Sequence, residues 1–435
     1  MDNIIAIRRE DKNQWERRTP LIPEHVRELE EKYGIKTIVQ PSKIRIFTDE
    51  EYRRAGAEVN EDMSRAGVLL AIKEIPVHLF EKDKAYVFFS HTIKGQPYNM
   101  TMLKKMVDRE CTLIDYERII DEKNRRLIFF GRFAGIAGMI ETLYAYGQKM
   151  KLRGFDTPFE RIKQPYRYPS FEEAKREITE IGREISRYGL PAELTPLVVG
   201  FTGYGNVSGG AQEVFDLLPH QVIPAEKLKE KYRDIASDNF NLYKVVFYER
   251  DMVRAAEGTF DLQDYYNHPE KYDCIFENYI PHLSILVNCI YWTEKYPRLV
   301  TKKYLKDHTR GQSELNLTVI GDVSCDIDGA IEITPKATRP DNPTVTYFPE
   351  SDKYEDGTLG KGITVMAVDN LPCEFPRDSS TNFSNLLKDF IKGIAAADFR
   401  NRFDKLDLPE PIKKALVLHR GHFTPGYRYM EEFLK

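Results

Sequence analysis

Cysteine is scarce, with five in 435 residues, and Cys111, Cys274, Cys289, Cys325 and Cys373 form no CxxC pair. That spacing argues against a zinc site or a disulfide framework, and an odd, scattered set fits reduced thiols in the cytoplasm. Neither sign of charge dominates: 64 Lys and Arg against 68 Asp and Glu leave a formal charge of −4. So balanced a chain offers no broad basic field for nucleic acid or anionic lipid. The opening MDNIIAIRRED reaches charge after a few apolar residues, and so predicts a first strand rather than a signal peptide or membrane span. Internal repeats and low-complexity tracts are missing too. What is present is an ordinary globular balance, 41% apolar and 30% charged, in a chain too long for one core. These features predict a cytoplasmic protein of two domains that partners neither nucleic acid nor membrane, with oligomerisation left open.

Short apolar runs alternate with helical stretches, the pattern of an α/β fold. The fold class expected is two Rossmann-like domains with mainly parallel sheets and a ligand cleft between them. Strands are predicted at Ile4–Ile7, Thr37–Gln40, Val68–Lys73, Ala85–His91 and Leu127–Phe130. A second series follows at Leu197–Phe201, Gln221–Ile223, Cys274–Glu277, Ser284–Tyr291 and Leu317–Asp322. Helices are predicted from Pro23 to Tyr33, from Gly135 to about Gly154, and from Phe171 to Arg187. The domains expected are 1–135 for substrate and catalysis, 136–194 as a connecting helix and loop, and 195–380 for a dinucleotide. The last residues, about 381–435, show helical periodicity and are expected to pack back on the first domain.

Ligands of open parallel sheets bind beyond the carboxyl ends of the strands. GVLLAI ends in Lys73 and Glu74, and AYVFFS ends in His91. Two endings in one sheet that bear proton-transferring groups suggest acid–base chemistry, although a lone lysine or histidine there is commonly solvated. Being adjacent, Lys73 and Glu74 should face opposite ways unless the chain turns. In the second half, an apolar strand runs into Gly203-Tyr204-Gly205, followed by Asn206, Val207 and an amphipathic helix. Gly203 permits the turn, and Gly205 lets backbone N–H groups approach a pyrophosphate. Ser208 takes the place of the third glycine, with Gly209 after it. An acidic residue after the next strand would bind the ribose; Glu226 lies near that place but equally starts a helix, so NAD and NADP both stay open.

IRREDKNQWERRTPLIPEHV, LLAIKEIP, YVFFSHTIKGQ, LIDYERI, FGRFAGIAGMI, GYGNVSGGAQEVFDLLP, LVNCIYW, DVSCD and VDNLPCEFPRDSS run in order from Ile7 to about Ser380. Together they resemble the lysine–ketoglutarate reductase half of the aminoadipic semialdehyde synthase family. They are more distantly similar to lysine-forming saccharopine dehydrogenase and to alanine dehydrogenase. The resemblance implies reductive condensation of lysine with 2-oxoglutarate to saccharopine, or the reverse, with NADP or NAD and a lean to NADP. It implies Lys73 and His91 as the acid–base pair, with Arg18, Glu74, Lys94, Gln96, Glu117, Arg126 and Arg132 around the substrates. Arg125 competes with Arg126, and Asp115 lies near Glu117. Asn288 and Asp322 are implied along the cofactor, and Asp369 and Asn370 in a return crossing. The bifunctional family carries a second dehydrogenase unit, whereas this sequence stops at Lys435. An alanine-dehydrogenase-like enzyme using ammonia and a non-catalytic sensor are the rival readings.

Overall fold

The computed structural model describes residues 3–310 and 315–435, and the chain divides into two compact units. Met1–Phe130 and Pro376–Lys435 form the first, and Gly131–Phe375 the second.

The first unit is built on β1 (Ile4–Ile7), β2 (Lys36–Val39), β3 (Glu58–Val59), β4 (Val68–Leu70), β5 (Ala85–Phe88) and β6 (Thr112–Asp115). These pair in parallel in the order β6-β5-β4-β1-β2-β3. A C-terminal hairpin, Leu416–His419 with His422–Phe423, adds antiparallel strands to the β6 edge. The inner strands are short apolar runs, and β4, β5 and β6 are buried throughout, as strands covered on both faces must be. Helix α1 (Pro23–Tyr33) starts on Pro23 and stops at Gly34, whose φ of 64° lets its N–H return to the Glu30 carbonyl.

The second unit opens with α2 (Gly131–Leu152) and α3 (Phe171–Tyr188). Its sheet comprises β7 (Val198–Thr202), β8 (His220–Val222), β9 (Leu242–Phe247), β10 (Ile285–Asn288), β11 (Val319–Asp322), β12 (Thr344–Phe348), β13 (Lys353–Asp356) and β14 (Ile363–Met366). The order is β13-β12-β14-β11-β10-β7-β9-β8, parallel except for β12 and β13 at one edge. Helix α4 (Asn206–Phe215) follows β7 and packs along α2.

Four sequence expectations are corrected. Leu127–Phe130 is not a strand; Arg126 makes one isolated bridge to Ile120, and Leu127, Ile128 and Phe130 pack into the core as irregular chain. An apolar run of four residues cannot by itself distinguish the two. The strand expected at Cys274–Glu277 is Tyr272–Cys274, paired with Val253–Ala255 in a separate two-stranded ribbon. Beyond α5 (Pro376–Ala396), the C-terminal segment gives the hairpin and short helical turns instead of continued helix. Finally, β9 was not foreseen, and it lies between β7 and β8.

The α2–α4 contact explains the glycines of the second unit. A Cβ at Gly135 would collide with the Val207 carbonyl oxygen, and one at Gly210 with the Arg132 carbonyl oxygen, whereas Gly209 faces open space. Close packing therefore falls to Gly210, two residues after the position that the glycine fingerprint assigns. Gly210→Ala should cost about 2–3 kcal/mol through backbone displacement and lower Tm by roughly 6 °C. Gly209→Ala should hold or raise Tm, because alanine favours helix by about 0.5–1 kcal/mol. Equal melting temperatures for the two variants would contradict this assignment.

Candidate active site

Because β1, β4, β5 and β6 are parallel neighbours, their carboxyl ends meet at one edge of the first sheet. Past the end of β4 the chain bends, so the alternation of strand side chains no longer governs Lys73 and Glu74. Glu74 Oε1 lies 2.6 Å from His91 Nδ1, and its Oε2 lies 3.2 Å from Lys12 Nζ. Burial pushes the Glu74 carboxyl up, but the hydrogen bond and charge of His91, with help from Lys12, outweigh it and hold Glu74 at about 2. Lys73 is half-buried. Burial first, then the Arg18 guanidinium, draws its ammonium below the usual lysine range, while Glu16 and Glu74 oppose the shift. A lysine so placed can give up its proton more readily than one in water.

His91 sits in the left-handed region at φ 48°. Asn99 Nδ2 donates to the carbonyls of Ser90 at 3.0 Å and His91 at 3.2 Å, which holds this turn. The ring lies over Phe89, at 6.3 Å between centroids and 17° between planes.

Arg18 is buried and makes a forked pair with Glu16, Nε to Oε1 at 2.8 Å and Nη2 to Oε2 at 2.6 Å. Its guanidinium lies 4.2 Å from the Phe130 ring centre. Arg126 donates to Glu117, whereas Arg125 bonds Asp121 at 2.7 Å, so the two competing arginines have different partners. The Lys94 amide bonds Gln96 Oε1 at 3.1 Å, in the loop following His91. Arg132 belongs to the second unit, where it grips Glu213 through two bonds of 2.9 and 2.8 Å. The first unit thus brings Lys73, Glu74, His91 and Arg18 into one charged group. Glu10 and Glu16 were missed; their only signal was a carboxylate a few residues beyond the first strand.

In the second unit β7 runs into Gly203, whose φ of 82° makes the turn. A Cβ at Gly205 would meet nothing, so the backbone N–H groups of Asn206 and Val207, opening α4, stay approachable. These features fit a dinucleotide pyrophosphate. The Tyr204 ring lies 4.9 Å from that of Tyr248, just past β9. Tyr248 is followed by Glu249, which accepts from Tyr266 Oη at 2.7 Å. β9 is the neighbour of β7 and β8 is the edge strand, so Glu249, not Glu226, lies just past the strand beside the glycine turn. Glu226 follows β8, and its charge helps to raise the Asp251 carboxyl, after burial. The apolar run LYKVVF followed by an acid was the available signal for Glu249.

At the ends of β10 and β11, Asn288 Nδ2 donates to Asp322 Oδ1 at 2.8 Å and Thr334 Oγ1 donates to Oδ2 at 2.6 Å. Thr202 Oγ1 in turn donates to Asn288 Oδ1 at 2.7 Å. Burial pushes Asp322 up to about 6 against those hydrogen bonds. Among the described residues no group of three or more His, Cys, Asp or Glu is placed to hold a metal, and no helix is long and apolar enough to cross a membrane.

The N-terminal domain of the alanine dehydrogenase/PNT family matches residues 6–137, and its C-terminal domain matches residues 250–425. The chain belongs to the alanine dehydrogenase/PNT family. An alpha-aminoadipic semialdehyde synthase of Arabidopsis thaliana is 38% identical over 451 residues, spanning 100% of this chain and 42% of that protein. The mitochondrial counterpart in Mus musculus is 33% identical, over 99% of this chain and 48% of its own. The chain therefore spans less than half the length of these two relatives. A saccharopine dehydrogenase (NAD(+), L-lysine-forming) of Neurospora crassa is 28% identical, over 88% of each chain. Among solved structures, an L-alanine dehydrogenase superposes with a TM-score of 0.63 at 18% identity, over 99% of this chain and 100% of that one, which shows the shared family fold.

For this member of the alanine dehydrogenase/PNT family, Glu74 supplies one of the negative charges that favour the Lys73 ammonium. Glu74→Gln should move the Lys73 titration to lower pH, because one of the charges that favour the ammonium is lost. NMR of the protein carrying 13C-methylated lysines reads this directly. An unmoved Lys73 resonance would contradict the electrostatic coupling.

Proposed function

We propose that the chain is an oxidoreductase that joins the side-chain amine of lysine to 2-oxoglutarate and reduces the imine to saccharopine, or runs that reaction in reverse. The observation that carries the reading is the Lys73 ammonium, weakened by burial and by Arg18, in one charged group with the Glu74–His91 pair. The names of the relatives, synthases and dehydrogenases of lysine metabolism, support it.

In the forming direction, neutral Lys73 takes a proton from the incoming ammonium, so that the free amine can attack the 2-oxo carbon. Water must then leave the carbinolamine, and His91 donates the proton to the departing hydroxyl. The Glu74 carboxylate accepts from Nδ1–H, which leaves Nε2 as the atom that exchanges a proton with the substrate. Arg18, Arg126, Lys94 and Gln96 are assigned to the substrate carboxylates, which forked or cationic donors suit. When bound, the dinucleotide supplies the hydride that reduces the imine carbon, or accepts it in reverse. Gly203, Tyr204, Gly205, Asn206 and Val207 are assigned to its pyrophosphate, and Asn288 and Asp322 to the neighbourhood of its nicotinamide. Glu249 accepts from the adenosine ribose.

This last placement favours NAD over NADP, since a 2′-phosphate would meet the Glu249 carboxylate. The cofactor printed in the name of the Neurospora crassa relative agrees. Thermal shift measures the preference, because a ligand of the native state raises stability. NADH should stabilise the protein more than NADPH, and Glu249→Ala should weaken NADH by about tenfold through loss of a charged hydrogen bond. A stronger shift with NADPH would reverse the assignment.

Absorbance of the reduced cofactor with lysine plus 2-oxoglutarate, set against pyruvate plus ammonium, tests the substrate class. Consumption only with the second pair would favour an alanine-dehydrogenase activity, which the family match also accommodates. Dinucleotide binding without turnover on either pair would indicate a sensor. Lys73→Met and His91→Gln should each lower kcat by about 100-fold or more, with substrate KM little changed. Wild-type rates in both variants would refute the acid–base roles.

A further inference from the structure

The amide groups just beyond the ends of the inner strands pose a problem that the sheet cannot solve. Ala71 N–H still reaches the Val87 carbonyl, and Phe89 N–H the Ile72 carbonyl, but the ladder stops there. Where the surroundings are buried, the next amides need other acceptors. Glu10, beyond β1, supplies them at the end of β4: Ile72 N–H donates to Oε1 at 2.6 Å and Lys73 N–H to Oε2 at 3.1 Å. Asp115, at the end of β6, does the same beside β5. Its Oδ2 accepts from Ser90 Oγ and, at 3.3 Å, from Ser90 N–H, and its Oδ1 accepts from Glu117 N–H at 2.8 Å. Both carboxylates are buried, Glu10 6% and Asp115 0% exposed.

The arrangement follows the strand order. In β6-β5-β4-β1 the two inner strands lead to His91 and Lys73, and each flanking strand sends a carboxylate to the chain just past its neighbour. We propose that Glu10 and Asp115 are positioning residues, each fixing the backbone from which one member of the proposed acid–base pair projects. Glu10 binds two successive amides with separate oxygens, which sets the peptide plane joining Ile72 to Lys73. Asp115 anchors Ser90, whose successor His91 must hold a left-handed backbone, and the same carboxylate holds Glu117. Asn99 secures the other side of that turn through the carbonyls of Ser90 and His91.

A buried carboxylate is a costly way to satisfy two amides unless its geometry is needed. The cost is visible: burial, reinforced by Glu16, raises the Glu10 carboxyl, and burial raises Asp115 to about 6 despite its hydrogen bonds. Displacement of a proton-transfer group by about 1 Å lowers a rate by on the order of 100-fold, so placing Lys73 and His91 repays the cost in turnover rather than binding.

The inference rests on the acid–base reading above, and its test separates the two. Glu10→Gln, Asp115→Asn and the milder Ser90→Ala are made in the full chain. Amide hydrogen exchange is followed in 70–74 and 88–92, together with kcat and KM for lysine plus 2-oxoglutarate. Exchange should quicken at least tenfold in the segment each variant touches. The kcat should fall by about 10- to 100-fold for the two carboxylate variants, and less for Ser90→Ala, with KM within about twofold. Quickened exchange with unchanged kcat would make these groups structural caps and overturn the proposal, as would unchanged exchange in a folded variant. If Glu10→Gln or Asp115→Asn fails to fold, Ser90→Ala with wild-type kcat overturns it for the His91 arm. A wild-type protein inert on lysine and 2-oxoglutarate would refute the substrate reading, leaving exchange alone to decide the placement.

Discussion

Parallel strands end, but the chain beyond them must still bond its amides where water is excluded. In the first unit Glu10 and Asp115 take up those amides, and the proposed positioning of the site starts from that bonding. Once the backbone at Lys73 and Ser90 is held, Glu74 can reach His91 Nδ1, and Lys73 is left among Arg18, Glu16 and Glu74. Burial lowers the affinity of this ammonium for its proton first, and the opposing charges around it then adjust that affinity.

The second unit depends on close approach of backbones rather than on charge. Gly135 and Gly210 let α2 and α4 come together, with main-chain carbonyls where side chains would otherwise stand. That contact packs the helix whose first turn follows Gly205 against α2, while the space at Gly205 itself stays open. The buried chain of Thr202, Asn288, Asp322 and Thr334 braces the strand ends in the same way, by hydrogen bonds across neighbouring strands.

Much of this was legible in the residues. IIAI, AYVF and the strand–glycine–helix run at 198–215 announce themselves by local pattern, because a buried parallel strand is a short apolar run and a tight turn needs glycine. RLIFFG has the same local look and is packed coil, while LYKVVF is a strand lying between two others. Chain order made Glu226 the candidate for the ribose; strand order puts Glu249 past the strand beside β7, because the strand that follows β7 in sequence is not the one beside it in space.

The α/β class, the two-part composition, the lysine and histidine at strand ends and the glycine turn could be read from the residues, since each depends on neighbours a few positions away. Which strands adjoin, that Arg126 rather than Arg125 meets Glu117, and that Glu10 and Asp115 hold the amides beyond β4 and β5 came from the folded chain alone. Those facts join residues 9 to 63 positions apart. A hydrogen bond across such a span is set by which segments the fold lays side by side, and local pattern carries no record of that.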